Sequence, residues 1–217
     1  MWEVAERMIT KQQIDEALKM RHGEVLQSKI AASQVAICGL GGLGSNIAIA
    51  LARVGIGKLH LIDYDRVDLT NLNRQQYTIS QLGCYKTEAL SKTIKAIAPY
   101  CEIVIDTIKL TPANIPLLLS EDTIICEAFD KAEEKAMLAE NVLVHLPNSY
   151  LIASSGMAGM SSTNTIKTRQ VSSHFYLCGD ETNGIDDGLG LMATRLLACA
   201  AHEAHMALRI IAGEMTP

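Results

Sequence analysis

Apolar and polar positions along the 217-residue chain fall into blocks whose period changes twice. Over residues 3–20, Val4, Met8, Ile14, Ala17 and Leu18 recur at helical intervals among charges, which predicts an amphipathic helix. From Gln34 the order becomes an apolar run (35–38), a glycine cluster (39–44), a helical pattern (45–54) and a second apolar run (58–63). That order predicts a βαβ unit and a parallel sheet. The alternation continues with a helix over 86–98, strands at 102–107 and 123–126, and a helix over 131–144, with Pro99 and Pro147 punctuating helix ends. Past residue 150 the pattern changes again. Residues 153–165 are rich in Ser, Gly, Met and Thr and predict a mobile loop, neither helix nor well-packed strand. Two short alternating pieces at 165–170 and 173–177 predict strands, and a glycine-rich segment at 179–190 leads into a long helix over 191–212. The expected fold is α/β in a single domain, a mostly parallel sheet with helices on both faces.

Composition narrows the function classes. Hydrophobic residues are 48% and charged residues 20%, ordinary globular usage that argues against disorder. The longest apolar runs, 47–51 and 192–201, are too short or too interrupted to span a membrane. Residues 1–11 mix Glu, Arg and Lys without an apolar block, so no signal peptide is expected and a cytoplasmic location follows. With a net charge of −5 and no Lys/Arg cluster, neither nucleic acid nor membrane is an expected partner. The six cysteines stand singly, without CxxC spacing, which excludes a zinc knuckle or redox pair. Cys38 and Cys126 sit in apolar company and read as core, whereas Cys178 precedes a polar GDETNG stretch where a thiol can be reached. His202 and His205 are three apart, one short of the HExxH metal spacing. Met157, Met160 and Met192 read either as the lining of a groove for a partner tail or as core filler.

Gly39, Gly41 and Gly44 form GxGxxG directly after an apolar strand and before a helix, the setting that gives this pattern weight. The first glycine permits a tight turn, the second lets backbone approach a phosphate, and the third lets helix and strand pack closely. Asp63 stands 19 positions after Gly44 at the end of the second predicted strand, where a carboxylate can accept ribose hydroxyls. These features predict a Rossmann-like nucleotide site and leave NAD, ATP and an unliganded tight turn all open. The stretch after Asp63 is more polar than a βα turn needs, with Asp65, Asp68, Asn71, Asn73, Arg74 and Gln75 close together. Joined to GLGGLGS at 39–45, it resembles the ATP-binding signature of the ThiF/MoeB family of sulfur-carrier adenylyltransferases, in the ubiquitin-activating-enzyme-like superfamily. The resemblance continues through Lys86 in GCYKTEA (83–89) and Asp130 in EAFD (127–130). More loosely, SGMAG (155–159), YLCGD (176–180) and GLM (190–192) look like the short ThiF branch tied to thiamin biosynthesis.

The resemblance implies an N-terminal helical arm (1–30), a nucleotide-binding core (31–150) and a carrier-groove portion with the C-terminal helix (151–217). It implies activation of the C-terminal glycine of a small ubiquitin-like sulfur carrier with a Gly-Gly tail, using ATP and Mg²⁺, as acyl-AMP with release of pyrophosphate. Arg74 and Lys86 would lie on the phosphates, and Asp130 would hold Mg²⁺. Gly39, Gly41, Gly42, Gly44, Asp63, Asp65, Asn71 and Gln75 would bind the nucleotide. Asp65 and Asp68 have an alternative as turn caps or solvated charges, and Asp130 as the N-cap of the helix that follows it. The family also places an N-terminal arginine in the neighbouring subunit's site. The usual Arg-Tyr-x-Arg-Gln form is absent here, which leaves Arg21 as the nearest candidate, with Arg7 behind it; a homodimer is expected. The two CxxC pairs that bind zinc in many relatives are missing, so no zinc is expected. Cys178 is the positional candidate for a thiol that links to the carrier, with an unreactive loop thiol as its alternative. Rival readings are a molybdopterin carrier, a small carboxylate or a modified tRNA base as substrate, an NAD-dependent oxidoreductase, and a non-catalytic nucleotide-binding scaffold.

Overall fold

The computed structural model describes residues 9–184 and 190–217. The expectations for Val4, Arg7 and Met8, and for the middle of the 179–190 segment, lie outside them. The N-terminal arm is two helices, α1 (Lys11–His22) and α2 (Glu24–Ala31). The Thr10 hydroxyl accepts the Gln13 N–H while the Gln13 side chain accepts the Thr10 N–H, a capping box that fixes where α1 starts. Gly23, at φ +83°, breaks the chain between the two.

The sheet begins with β1 (Gln34–Cys38), four of whose residues, Val35 to Cys38, have no exposed surface. Val35 and Ile37 enter one core and Ala36 and Cys38 the other, so the strand is apolar throughout because it is covered on both faces. The chain then runs through α3 (Gly44–Arg53), β2 (Lys58–Ile62), α4 (Lys86–Ile97), β3 (Glu102–Asp106), the single turn α5 (Ile115–Leu118), β4 (Ile124–Glu127) and α6 (Ala132–His145). It ends with β5 (Tyr150–Ser154), β6 (Lys167–Ser172), β7 (Phe175–Gly179) and α7 (Ala193–Ala212). The strand order is β3-β2-β1-β4-β5-β7-β6, parallel except for β6, which pairs antiparallel with β7. Ile30, Ile47, Leu51, Leu90, Ile94 and Leu196 from α2, α3, α4 and α7 cover one face; Ile115, Leu138 and Val142 from α5 and α6 cover the other.

The α/β expectation is met, with helices on both faces of a mostly parallel sheet. The strand that the hydrophobic pattern does not foretell is β5. Leu151 and Ile152 have no exposed surface, and Ala153 and Ser154 are buried too, so the period-2 signal of a half-solvated strand is missing. Residues 153 and 154, expected in a loop, are thus sheet, and β5 carries the sheet from β4 across position 150 to β7. Successive connections depart to opposite sides at β1 and β4, which leaves a crevice beyond the carboxyl ends of these two strands. Among the described residues no helix is long and apolar enough to cross a membrane.

Candidate active site

The turns leaving β1, β2, β3 and β4 enclose a cleft of about 410 Å³. Gly39, Gly41 and Gly42 come from the first turn, and Asp63, Asp65, Asn71, Arg74 and Gln75 from the segment after β2. Lys86 enters from the first turn of α4 and Asp130 from the turn after β4. Sequence-distant residues from three separate motifs therefore share one wall. Gly44 stands behind it: a Cβ there would collide with the Gly39 carbonyl, so this glycine lets α3 start against β1. Gly39 has φ +91°, and its Cβ would lie 2.9 Å from the Ala128 carbonyl, which makes glycine necessary where the first turn passes β4. Gly41 is different. The atom nearest an added Cβ is Gln75 Nε2 at 3.8 Å, so the fold leaves room there that only a closely approaching ligand would use.

Short polar contacts hold this wall. The Asp63 carboxylate is buried; its Oδ2 accepts the Leu40 N–H at 2.6 Å and its Oδ1 the Asp65 N–H at 2.7 Å. One side chain thereby joins the turns of β1 and β2. Burial pushes its carboxyl above the ordinary value, against the pull of Lys86 and the two N–H donors. Lys86, also buried, donates to Asp65 Oδ2 at 2.8 Å and lies 3.9 Å from Asp63 Oδ2. Asp65 thus stands as the partner of Lys86, with its carboxylate half exposed. Asp68 is a turn cap: Oδ1 accepts the Thr70 N–H at 2.8 Å, and the Asn71 side chain answers by accepting the Asp68 N–H at 3.1 Å. Arg74 Nη1 donates to the Thr70 carbonyl at 2.9 Å and to Asn73 Oδ1 at 2.8 Å. The Arg74 carbonyl in turn accepts Asn46 Nδ2 at 3.2 Å, and Gln76 N–H donates to Ser45 Oγ, so α3 and the Arg74 segment are tied directly. Gln75 is buried, and its Oε1 has no hydrogen-bond partner among the described residues. Among the described residues, five basic side chains (Arg66, Arg74, Lys86, Lys131, Lys135) and five acidic ones (Asp63, Asp65, Asp68, Asp130, Glu134) line the cleft, and their formal charges balance.

Asp130 does not cap α6. The N-cap is Lys131, without a side-chain hydrogen bond, and Asp130 is exposed at the cleft. Two other expected residues lie elsewhere. Arg21 is exposed near the end of α1 and is not part of the lining of this cleft. Cys178 corrects the expectation of a reachable loop thiol: it lies in β7 with no exposed surface, and burial, aided by Glu203, holds its thiol far above the ordinary value. A buried thiol of raised pKa lacks the exposure and thiolate character that reactive cysteines have.

The cleft also holds residues that the motifs do not announce. Tyr64, Ile108, Leu110 and Phe129 give it an apolar side, supplied by the turns after β2, β3 and β4, strands that lie in the order β3-β2-β1-β4. Lys135 donates at 3.0 Å to both oxygens of buried Glu127 and to Ser154 Oγ. Glu203 is fully buried in α7, and burial, together with the charge of Glu127, keeps its carboxyl well above the ordinary value. Met157, Leu191 and Leu196 also line the cleft, Leu196 lying against Gly42 of the glycine turn. The polarity of 63–75 signalled the first wall; the second comes from residues scattered over 157–196, which only the folded chain assembles.

The ThiF family model matches residues 12–216. The chain belongs to the ThiF family. Within the ubiquitin-activating-like superfamily it is similar to the tRNA threonylcarbamoyladenosine dehydratase of Escherichia coli K12, 35% identical over 119 residues, 54% of this chain and 44% of that protein. Ubiquitin-like modifier-activating enzyme 5 of Aedes aegypti is 45% identical over 83 residues, 38% of this chain and 21% of that one. The adenylyltransferase and sulfurtransferase MOCS3 of Aedes aegypti is 36% identical over 113 residues, 52% and 26% of the two chains. The chain spans less than half the length of these curated relatives. The solved structure of the Escherichia coli tRNA N6-threonylcarbamoyladenosine dehydratase in complex with ATP superposes with a TM-score of 0.84, covering 95% of this chain and 97% of that one. At 22% identity that likeness is one of ThiF-family fold.

Proposed function

We propose that this ThiF-family chain adenylates a carboxylate: an acceptor carboxylate oxygen bonds to the α-phosphorus of ATP, the bond from that phosphorus to the αβ-bridging oxygen breaks, and pyrophosphate leaves with the electron pair. One observation carries the proposal. The glycine turn, Arg74, Lys86 and Asp130 converge on a single cleft beyond the carboxyl ends of β1, β2 and β4. Two details of the cleft fit ATP. Gln75 Oε1 is a buried acceptor that a ribose hydroxyl or the adenine amino group would satisfy, and the space at Gly41 admits a phosphate against backbone.

Arg74 would bring its guanidinium fork to the phosphates, and Lys86 would exchange Asp65 for a phosphate oxygen. Both would neutralise charge that builds as two anions are brought together. Because the lining is formally balanced, a triphosphate leaves the cleft negative, which suits a divalent cation. Asp130 would hold Mg²⁺, with phosphate and water oxygens completing its shell. The ion, when bound, supplies charge neutralisation on the phosphates.

The acceptor in this reading is the C-terminal glycine of a small ubiquitin-like carrier, with a thiamin-type carrier its narrowest form and a molybdopterin-type carrier next. The loop motifs at 155–159 and 176–180 and the similarity to MOCS3 and to ubiquitin-like modifier-activating enzyme 5 support it. Arg21 would act from a second copy in a homodimer. A second reading, a carboxylate borne by tRNA, is favoured by the similarity to tRNA threonylcarbamoyladenosine dehydratase; the net charge of −5 weighs against it. Isotopic exchange between ATP and pyrophosphate, with Mg²⁺ and each carrier or tRNA in turn, tests these readings. Carrier-dependent exchange is expected, and Arg74→Ala and Asp130→Ala should each lower it about 100-fold or more with thermal unfolding unchanged. Full exchange in either variant overturns the site assignment. Exchange with tRNA alone overturns the carrier, and ATP binding without exchange under any acceptor leaves the scaffold reading in its place.

A further inference from the structure

The largest fully buried side chain among the described residues belongs to Arg195, in the first turn of α7. Its position is poor for the helix, since a cation near a helix N-terminus opposes the backbone dipole. It is also poor for stability as such, since a buried ion pair gains little over an apolar pair of the same volume. What the pair does is geometric. Arg195 Nη2 meets the Asp180 carboxylate, with side chains 2% and 3% exposed, and Nη1 donates to the carbonyls of Ser161 and Ser162. Asp180 Oδ1 also accepts the N–H groups of Thr182 and Asn183 at 2.9 and 3.0 Å. The two segments so gripped, 155–165 and 180–184, are laced by backbone bonds, Asp180 N–H to Gly156 O (2.9 Å), Glu181 N–H to Ser155 O (3.1 Å) and Ala158 N–H to Asn183 O (3.1 Å), and Gly159 N–H reaches Gly190 O (2.9 Å) just before α7. At Gly156, φ +75°, an added Cβ would strike the Asp180 carboxylate, so the approach admits no side chain. The first segment delivers Met157 to the cleft, Leu191 enters just before α7, and Leu196, the residue after Arg195, lies against Gly42 beside the stem of Arg74.

We propose that the Asp180–Arg195 pair is a positioning device for the second reactant: it sets 155–165, 180–184 and the start of α7 into one preformed apolar surface beside Arg74, along which a carboxylate-ended peptide tail enters. The inference rests on the adenylation reading and extends it from the nucleotide to the acceptor. A tail held against a fixed wall loses its freedom on binding, before reaction, and so reaches the phosphorus already oriented.

The test uses the whole chain with Arg195→Met, Arg195→Lys and Asp180→Asn, each checked for folding by thermal unfolding. Hydrogen exchange followed by mass spectrometry reads both segments, calorimetry reads ATP binding without acceptor, and ATP–pyrophosphate exchange reads a Gly-Gly-ended carrier. In Arg195→Met and Asp180→Asn both segments should exchange about tenfold faster or more, and the carrier KM should rise about tenfold with kcat and ATP affinity within about threefold. Arg195→Lys should restore most of the KM, since one ammonium still reaches Asp180. If Arg195→Met does not fold, Asp180→Asn, which keeps the side-chain shape, decides alone. Loosened segments with an unchanged carrier KM overturn the inference, as does an ATP affinity that falls in step with KM, which marks a general structural role. A wild-type chain that shows no carrier-dependent exchange overturns the adenylation reading instead, and the acceptor role falls with it.

Discussion

The two walls of the cleft are built by different means. One is made by the turns after β1, β2 and β4, the first two drawn together by side chain-to-backbone contacts such as Asp63 to the Leu40 N–H and Asn46 to the Arg74 carbonyl. The other part of the lining rests on two irregular segments laced together and gripped by a buried ion pair whose arginine reaches 34 positions back to Ser161. A wall of the first kind needs particular residues at fixed spacing, since glycines and capping groups must meet the same turn. A wall of the second kind needs one matched pair and small residues where the segments touch, at whatever spacing the chain supplies. The first therefore leaves a motif in the sequence and the second leaves almost none.

Three substitutions sharpen this contrast, each acting on a different support. The largest effect is expected at Gly44. Gly44→Ala drives a Cβ into the Gly39 carbonyl, a backbone atom that cannot swing aside, and should cost about 3 kcal/mol or more in chemical denaturation, with ATP binding lost in whatever fraction folds. An alanine variant of wild-type stability would show that the turn yields, contrary to the backbone-built description. Next comes Cys178→Ser. A hydroxyl in this enclosed site of β7 should lower stability by about 1–3 kcal/mol while carrier-dependent exchange persists. Loss of exchange in a folded serine variant would restore the thiol to the chemistry.

The smallest effect is expected beneath the first wall, at His60 in β2. Its Nδ1 lies 2.7 Å from Asp122 Oδ2 and its Nε2 2.8 Å from Asp106 Oδ2, so one buried ring bridges β2 to the end of β3 and the approach to β4. Burial opposes its charge, the two carboxylates overcome that, and the imidazole is held above its ordinary value. A group with a raised folded pKa stabilises fully below its unfolded pKa, about 6.5, and the contribution fades as pH rises through the folded value. Stability should therefore decline across that window, and His60→Gln should flatten the decline. An unchanged pH slope in the variant would assign the titration to another group.

What was legible in the sequence follows from these constructions. The βαβ unit, the glycine turn and the polar run after Asp63 were readable because each is local: a buried strand, a turn and a helix start lie within a few residues of one another. Lys86 and Asp130 were readable only through the family resemblance, since nothing in their spacing says that β2 and β4 both flank β1. β5 escaped because its apolar core is short and its end, Ala153 and Ser154, runs straight into the Ser- and Gly-rich stretch that follows. Cys178 misled because the GDETNG that follows it is polar, although the strand register points its own side chain inward. Arg195 and Glu203 escaped because charged residues in a helix are ordinarily solvated, and their burial is a property of the packed helix and sheet together.

Asp63 has a consequence beyond its place in the lining. Because its two oxygens are already engaged by backbone N–H groups of both turns, the glycine turn takes its shape when the protein folds. The conformational entropy of that loop is surrendered once, in folding, and is not lost again at each encounter with a nucleotide.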